Sequence, residues 1–595
     1  MTAQFPELSI QAAFRVGAST STLLTLDDPT RGRLDTGTLG DGSEQDPVWV
    51  ELADRATEGK GIVSRGSQRI DSPIVQYEPG TLSVPLANHD RDLDPSNLNG
   101  PYTQAAGAQD GTTYVLNDNP GFEDGLTSWT GIGGALSQDT TVTHAGTASG
   151  KIVPDGVSAL VRIDSDPVPV EASQTYRAQG WVRCAAARNV SLNINWFDAS
   201  GGYLDTSVNA QAVAADTWTI MSADMMAPAG AAQANIIPTL DGTPPPSAVL
   251  WVDEVELSQQ RATQVTAMRA VRVLATWANV VYELFQGTAD AWDVHYEDPG
   301  QAITTLAATD GFKVLAGISR AAAPAAGEGE TTGARITRIL DSAGWSTQAR
   351  DIDDGDTIVQ ATTLDGEVLA ELQITADSEI GELYIDGGGR VRFRARNALL
   401  TDARSNTAQA VFGDDGDELP YKDLGVSSDD ATFYNEVRVT RAARADEDPP
   451  DEPVEQVADD TTSQALFYKR TFTPPSAPIL DADQDALAYA QWLAAVASYP
   501  ELRFTELTLE PAVAANELWP HALGRQIGDR ITIIRRPPGG GDPIEMDCFI
   551  RGITHEFGDE EWITKWALQS ATRYGGFLVL DDALLGRLDE NRLAY

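Results

Sequence analysis

Residues 117–130 read NDNPGFEDGLTSWT. Pro120-Gly121 and Asp124-Gly125 are turn signals, and Trp129 follows them closely. The stretch before it, HDRDLDPSNLNGPY at 89–102, is itself loop-like, broken by Pro95, Gly100 and Pro101. It does not close a domain. The chain therefore reads as one domain left unfinished and a second begun inside it.

From 112 to 260 the character of the sequence changes. Charged residues thin out while Ala, Thr, Asn and Trp rise. SGKIVP, ALVRI, TYRAQGWVRC, NVSLNINWF, TWTIMSADM, AQANIIPTL and AVLWVDEVEL have strand character, with turn signals between them. About eight such strands fit a jelly-roll β-sandwich of ordinary size. Upstream, FRVGAS, VWVEL, GIVSR and LSVPL are short strands punctuated by DDPTRG, GDGSEQDP and EPG. Downstream, AVRVLATWANVVYELFQGTADAWDVHY predicts two strands joined by a turn at Ala278–Asn279. It is more like the first β region than the block it follows, so 112–260 is read as an insertion.

The remaining organisation follows from punctuation and periodicity. AAAPAAGEGETTG predicts a flexible linker. ARITRILDSAGW predicts a helix with Ile336, Ile339 and Leu340 inward, ending near Gly344. VLAELQITADSEIGELYIDGGGRVRFRAR predicts a helix followed by a hairpin turning at Asp386–Gly389. DADQDALAYAQWLAAVASY predicts an amphipathic helix with Leu487, Ala490, Leu493, Ala494 and Ala497 inward. The resulting division is a hub β domain in two parts (1–111 and 261–325), the inserted sandwich (112–260), an α+β domain (326–443), an acidic linker or loop (444–462) and a C-terminal helix plus β-barrel-like domain (463–595). The class is mainly β with α+β parts, a discontinuous β-barrel interrupted by a sandwich. A chain of 595 residues accommodates roughly three to five domains.

Composition excludes several functions. Asp plus Glu number 88 and Lys plus Arg 42, a net charge of −46. Such a surface repels phosphates, so no nucleic-acid partner is expected. Cys184 and Cys548 are the only cysteines and stand far apart, which rules out a disulfide framework. No apolar run approaches the roughly 18 residues of a membrane span, and MTAQFPELSI lacks the basic and apolar regions of a signal peptide. The five histidines are scattered singly, with no HExxH and no GxSxG elbow. GEGETTG at 327–333 lacks the lysine of a phosphate loop. No catalytic residue is nominated, and the chain is read as a non-enzyme.

Within the insertion, period-2 alternation sorts two strands. Tyr176, Ala178, Gly180, Val182 and Cys184 share one face of the first, and Arg177, Gln179, Trp181 and Arg183 the other. Val190, Leu192, Ile194 and Trp196 share one face of the second, and Ser191, Asn193, Asn195 and Phe197 the other. The first face of each is core-like. The second mixes amides, guanidinium groups and an aromatic ring, which suits saccharides: the ring stacks on the apolar face of a pyranose and the polar groups bond its hydroxyls. A plain solvated face with incidental aromatics is the alternative. Gln179, Trp181, Arg183, Asn193 and Asn195 are the candidates, with Trp218 as a second platform.

NPGFEDGLTSWTG, HAGTASGKIV, VPVEASQTYRAQGWV, TWTIMSADMMAPAGA and LWVDEVEL, in this order and spacing, resemble the carbohydrate-binding modules of the family 4/9 type. That resemblance implies a jelly roll and glycan binding. It also implies a structural calcium ion between the opening segment and the last strand, at Glu123 and Asp253; capping of backbone amides is the alternative role for both. Trp129 matches a family tryptophan that packs inside.

The flanks resemble a second family. IVQYEPGTLSVPLANHDRDLDPSNLNGPY, AMRAVRVLATWANVVYELFQGTADAWDVHY and the long segment from ELWPHALG to WALQSA resemble the minor tail proteins of long-tailed phages infecting actinobacteria. This implies a tail-tip hub or baseplate component, a homotrimer, in contact with the distal tail protein, the tape measure and further minor tail proteins. It implies a virion protein assembled in the host cytoplasm, its inserted module attaching to host cell-wall glycans. Two other functions stay open: a purely structural hub with a decorative sandwich, and a cell-wall polysaccharide hydrolase carrying a binding module.

Overall fold

The structure is a computed structural model and describes residues 4–15, 48–56, 59–98, 100–105, 112–296, 301–320, 324–446, 451–558 and 561–574. The turns expected at DDPTRG and GDGSEQDP lie outside these residues. Two compact units emerge, Met1–Asp94 with Val265–Tyr595, and Pro95–Gln264.

The discontinuous unit is built on one large sheet. Glu7–Arg15, from before the insertion, pairs antiparallel with Ala270–Trp277, from after it, in the register Leu8↔Ala275. Glu78–Ala87 pairs likewise with Ala302–Thr309, in the register Val84↔Leu306. Ala270–Trp277 and Val280–Tyr296 form the hairpin predicted at Ala278–Asn279. Both turn residues are left-handed, at φ 49° and 63°, the geometry that matches the twist of a two-residue hairpin.

The barrel expectations are corrected. Gly61–Gly66 pairs with Ile544–Gly558, so the C-terminal strands continue the first sheet and do not form a barrel of their own. That sheet runs from Val48–Glu51 at one end to Asp423–Ser427 at the other, and among the described residues it does not close. A small α+β layer belongs to the same unit. Helices Thr332–Ser342 and Val368–Glu379 bury Ile336, Ile339, Leu340 and Leu372 with Val391 and Phe393 of a three-stranded sheet. Helix Asp483–Ala497 buries Ala490, Leu493, Ala494 and Ala497, while Leu487 is half-buried.

The segment 444–462 is also corrected. Gln456–Asp459 is a strand paired with Glu436–Val439, and Thr461–Phe467 is a helix. Arg441 holds Asp451 and Asp483, and Arg444 reaches Asp481 and Glu328. Within the segment, Asp451, Asp446 and Glu455 thus serve as ion-pair partners of Arg441, Arg444 and Arg438. The expected linker AAAPAAGEGETTG likewise includes the start of helix Thr332–Ser342, and Ala326 bridges to Thr362; Ala321–Ala323 lie outside the described residues.

The inserted unit is a sandwich of two antiparallel sheets. One runs Thr219–Met226, Thr175–Cys184, Leu250–Thr263, Ser149–Pro154, Gly134–Asp139. The other runs Tyr203–Val213, Arg188–Phe197, Gln233–Leu240, Val161–Ser165, Trp129–Ile132. The chain crosses repeatedly between the sheets, as in a jelly roll, with in-sheet hairpins only at Gly134–Asp139 with Ser149–Pro154 and at Arg188–Phe197 with Tyr203–Val213 among its longer strands. Tyr176, Val182, Leu192, Ile194, Trp196 and Ile236 fill the space between them. Trp129 is buried as expected, against Phe122 at 4.8 Å. The ends of the unit are zipped together, since Thr103–Ala105 and Thr112–Val115 both pair with the end of Leu250–Thr263. Entry and exit side by side are what an insertion into a loop requires. Both cysteines are buried and free.

Candidate functional site

The alternation expected for Thr175–Cys184 is present: Tyr176, Ala178, Val182 and Cys184 enter the core, and Arg177, Gln179, Trp181 and Arg183 point outward. The outward face is already heavily partnered. The His144 imidazole stacks on Trp181 with centroids 3.8 Å apart, and Trp218 meets His144 edge-on at 5.8 Å. Arg177 pairs with Asp224 at 2.8 Å and Arg183 with Asp216 at 2.9 Å. The Trp251 indole has Arg183 and Lys151 over it and donates to Asp139 Oδ2 at 3.0 Å. Hydrogen bonds from Thr141 and Trp251 hold the Asp139 carboxyl well below the usual range.

Asn193 and Asn195 lie elsewhere. Their strand, Arg188–Phe197, belongs to the other sheet, so they face away from the opposite side of the sandwich. The six candidates therefore do not form one surface. Gln179, Trp181, Arg183 and Trp218 share one outer face, and the two asparagines take part in another. In that second face Asn193 stands opposite Val208 and Ile237, Asn195 opposite Thr206 and Asn235, and Ser191 opposite Thr239. Arg162 neighbours Thr239 from the next strand and contacts Asp164 at 3.0 Å. Burial raises the Asp164 carboxyl above its ordinary value.

This polar grid is shielded, although it is the outside of a sheet. Ser191, Asn195, Asn235 and Thr239 are all less than a tenth exposed. Asn193 Nδ2 donates to Ser191 Oγ at 3.1 Å and Asn235 Nδ2 to the Ser165 carbonyl at 3.1 Å. The side-chain oxygens of both asparagines accept nothing. Thr206 Oγ1 donates to Asn195 Oδ1 at 2.6 Å and is in turn 2.8 Å from the Tyr203 hydroxyl. Tyr203, 60% exposed, is edge-on to Phe197 and ends the grid with an accessible ring. Buried amide oxygens without donors are costly. Asn235, Thr239, Arg162, Asp164 and Tyr203 were missed from sequence. Alternation in QANIIPTL would have set Gln233, Asn235, Ile237 and Thr239 outward, since Ala234, Ile236 and Leu240 are in the core.

Glu123 and Asp253 do converge, on the segment 144–148. Glu123 Oε1 accepts from the amides of Thr147 (2.8 Å) and Ala148 (3.2 Å), and Oε2 from the Thr147 hydroxyl at 2.6 Å. Asp253 Oδ2 accepts from the amides of His144 (2.7 Å) and Ala145 (3.0 Å), and Oδ1 from that of Glu254 at 2.9 Å. Gly146 lies between the two grips at φ +61°; a Cβ there would stand 2.0 Å from Glu123 Oε1. The Thr147 hydrogen bonds lower the Glu123 carboxyl, while burial raises that of Asp253. Calcium takes about six to eight oxygens. Here three N–H or O–H donors point at each carboxylate, an arrangement suited to stapling a loop. Among the described residues no cluster of three or more acidic, His or Cys side chains could hold a metal ion.

Residues 116–240 match the carbohydrate binding domain family CBM_4_9, so the chain contains a carbohydrate-binding module. No curated protein matches the chain. Among solved structures, the xylan-binding CBM22-1 domain of Paenibacillus barcinonensis Xyn10C is 17% identical, covering 26% of this chain and 98% of that one, with a TM-score of 0.21. TmCBM61, solved with β-1,4-galactotriose, is 14% identical over 25% of this chain and 99% of its own, with a TM-score of 0.20. The enzymatically active domain of tailspike protein 4 from bacteriophage CBA120 is 13% identical over 24% of this chain, with a TM-score of 0.21. Only 21% of that tailspike chain is covered.

Proposed function

We propose that the inserted sandwich binds a saccharide on the face carrying Asn193, Asn195 and Asn235, with Tyr203 as its stacking platform. The observation that carries this is the pair of unpartnered amide oxygens, on Asn193 and Asn235, in the shielded outer face of a module of a carbohydrate-binding family. Sugar hydroxyls supply the missing donors, and an exposed tyrosine ring covers the apolar side of a pyranose. The Trp181 face is the weaker choice, because Trp181 already stacks on His144 and its arginines are ion-paired.

We further propose that the discontinuous β unit is a phage tail-tip hub that presents this module to host cell-wall glycans. The resemblance of the flanking segments supports this, as do the paired ends of the insertion, which let a module emerge from a loop without breaking the sheet that carries it. A homotrimeric hub would present three modules, and tethered weak sites gain avidity. Distal tail protein, tape measure and other minor tail proteins are its proposed neighbours in the virion. Binding is the proposed activity, with no bond-breaking step; release of reducing ends from envelopes by the purified chain would contradict that.

The test is co-sedimentation of the full chain with actinobacterial cell walls. Wild type and Trp181→Ala should sediment, while Asn193→Ala/Asn235→Ala stays in solution. Equal sedimentation of all three would remove the amide face as the site. Failure of wild type to sediment would favour a structural role for the sandwich.

A further inference from the structure

A partly open cavity of about 570 Å³ lies within the discontinuous β unit, bounded by the turn Asp386–Arg390, the strand Val280–Tyr296 and the loop Gly524–Asp529. Its size is that of a small-molecule pocket, typically about 300–1,000 Å³. Its wall is unusual for this chain. In a sequence with 88 acidic and 42 basic residues, four arginines line one cavity, beside five carboxylates, Glu283, Glu382, Asp386, Asp402 and Asp529. Three come from a single edge: Val391 and Phe393 of strand Val391–Arg394 are buried, so Arg390, Arg392 and Arg394 project to the other side. Arg404 faces them from helix Ala403–Asn406.

These guanidinium groups are not equally compensated. Arg394 pairs with Asp353 at 3.0 Å, and Arg404 with Asp529 through Nε at 2.6 Å. Arg390 and Arg392 share one oxygen, Asp386 Oδ2, through their Nε groups at 2.9 and 2.8 Å. Asp386 Oδ1 is taken by the amides of Gly388 and Arg390. Arg392 also touches Asp351, and Glu283 lies 3.5 Å from Arg390. Behind the cavity wall sits Arg65, 3% exposed, its Nη1 bonded to Gln526 Oε1 at 2.9 Å. Its Nε and Nη2 have no partner, and among the described residues it makes no ion pair. Asp386, Glu283 and Asp529 act on it through space, but a buried guanidinium in direct contact with no carboxylate is costly unless an anion comes to it.

We infer that this cavity binds a carboxylate-bearing ligand, received at Arg390 and Arg392 with Arg65 adding charge from behind Gln526. Guanidinium forks match carboxylate geometry, and the apolar surfaces of Tyr282, Leu399 and Ile527 accommodate the rest of the molecule. The acid could belong to an acidic sugar or to an acidic polypeptide segment.

Calorimetry on the full chain separates these. The probes are glucuronate and N-acetyl-Glu-Glu-amide, each with its neutral counterpart, glucose and N-acetyl-Gln-Gln-amide. At least one acidic probe should bind tenfold or more tighter than its counterpart, and whichever binds names the source. Arg390→Gln/Arg392→Gln should weaken that binding at least tenfold. Arg390→Lys, which keeps the charge and loses the fork, should weaken it less and guards against a folding defect in the double variant. No binding by either acidic probe, equal binding by the neutral ones, or binding unchanged in both variants overturns the inference. The last outcome would also assign the probe to the sandwich, so the two sites are tested separately.

Discussion

The imidazole of His144 lies flat on the indole of Trp181, with ring centroids 3.8 Å apart and planes 16° from parallel. The contact ties the segment 144–148 to the strand Thr175–Cys184 and occupies one face of the outward Trp181. Aromatic pairs contribute about 0.5–1.5 kcal/mol beyond area burial. A double-mutant cycle of His144→Ala and Trp181→Ala, read by urea denaturation, should return a coupling energy in that range. A coupling near zero would free Trp181 for a ligand.

Asp253 is fully buried and accepts three backbone amides. Asp253→Asn conserves shape but turns an N–H₂ toward amide donors. Leaving buried donors unmet costs about 1–3 kcal/mol, so the variant should unfold at lower urea by that amount. Because the carboxylates staple amides, calcium addition or chelation should leave the wild-type melting temperature unchanged. A rise with calcium would support the ion that the family resemblance implies.

Asp310 is buried and caps helix Gly311–Ala316 while accepting the Gly80 amide at 2.6 Å. Burial pushes its pKa up to about 7. The folded state therefore binds more protons than the unfolded state between the ordinary aspartate value and about 7. Stability from this group is full below about pH 4 and falls as pH rises through 7. Urea midpoints measured from pH 4.5 to 7.5 should fall more steeply in wild type than in Asp310→Asn. Parallel slopes would show that Asp310 does not titrate in this window.

Ala278 holds φ 49° in its hairpin turn. Left-handed backbone costs a Cβ-bearing residue roughly 1–2 kcal/mol, offset in part by the entropy of glycine. Ala278→Gly should raise stability by about 0.5–1 kcal/mol in denaturant titration. A loss of stability would mean that the turn is not strained.

Local pattern carried much of this architecture. Period 2 placed Tyr176, Val182, Leu192 and Trp196 in the core, and Ala278–Asn279 marked its hairpin from two residues. The return of β character after the insertion pointed to the pairing of strands from either side of it. What period cannot tell is which sheet a strand joins. Thr175–Cys184 and Arg188–Phe197 are consecutive, but the chain crosses the sandwich between them, so Trp181 and Asn193 part company. The continuity of the large sheet was equally hidden, since it depends on Gly61–Gly66 finding Ile544–Gly558 across almost five hundred residues. The arginine cavity could not be anticipated from GRVRFRAR alone, because its opposite walls come from residues near 283, 404 and 526.

The most direct measurement titrates soluble fragments of actinobacterial wall glycan into the full chain, comparing wild type, Trp181→Ala and Asn193→Ala/Asn235→Ala by calorimetry. If the amide face holds the sugar, the asparagine variant loses at least tenfold in affinity, about 1.4 kcal/mol, and the tryptophan variant stays within threefold. The reverse order, with Trp181→Ala abolishing binding and the asparagine variant unaffected, would contradict it and move the site to the other sheet.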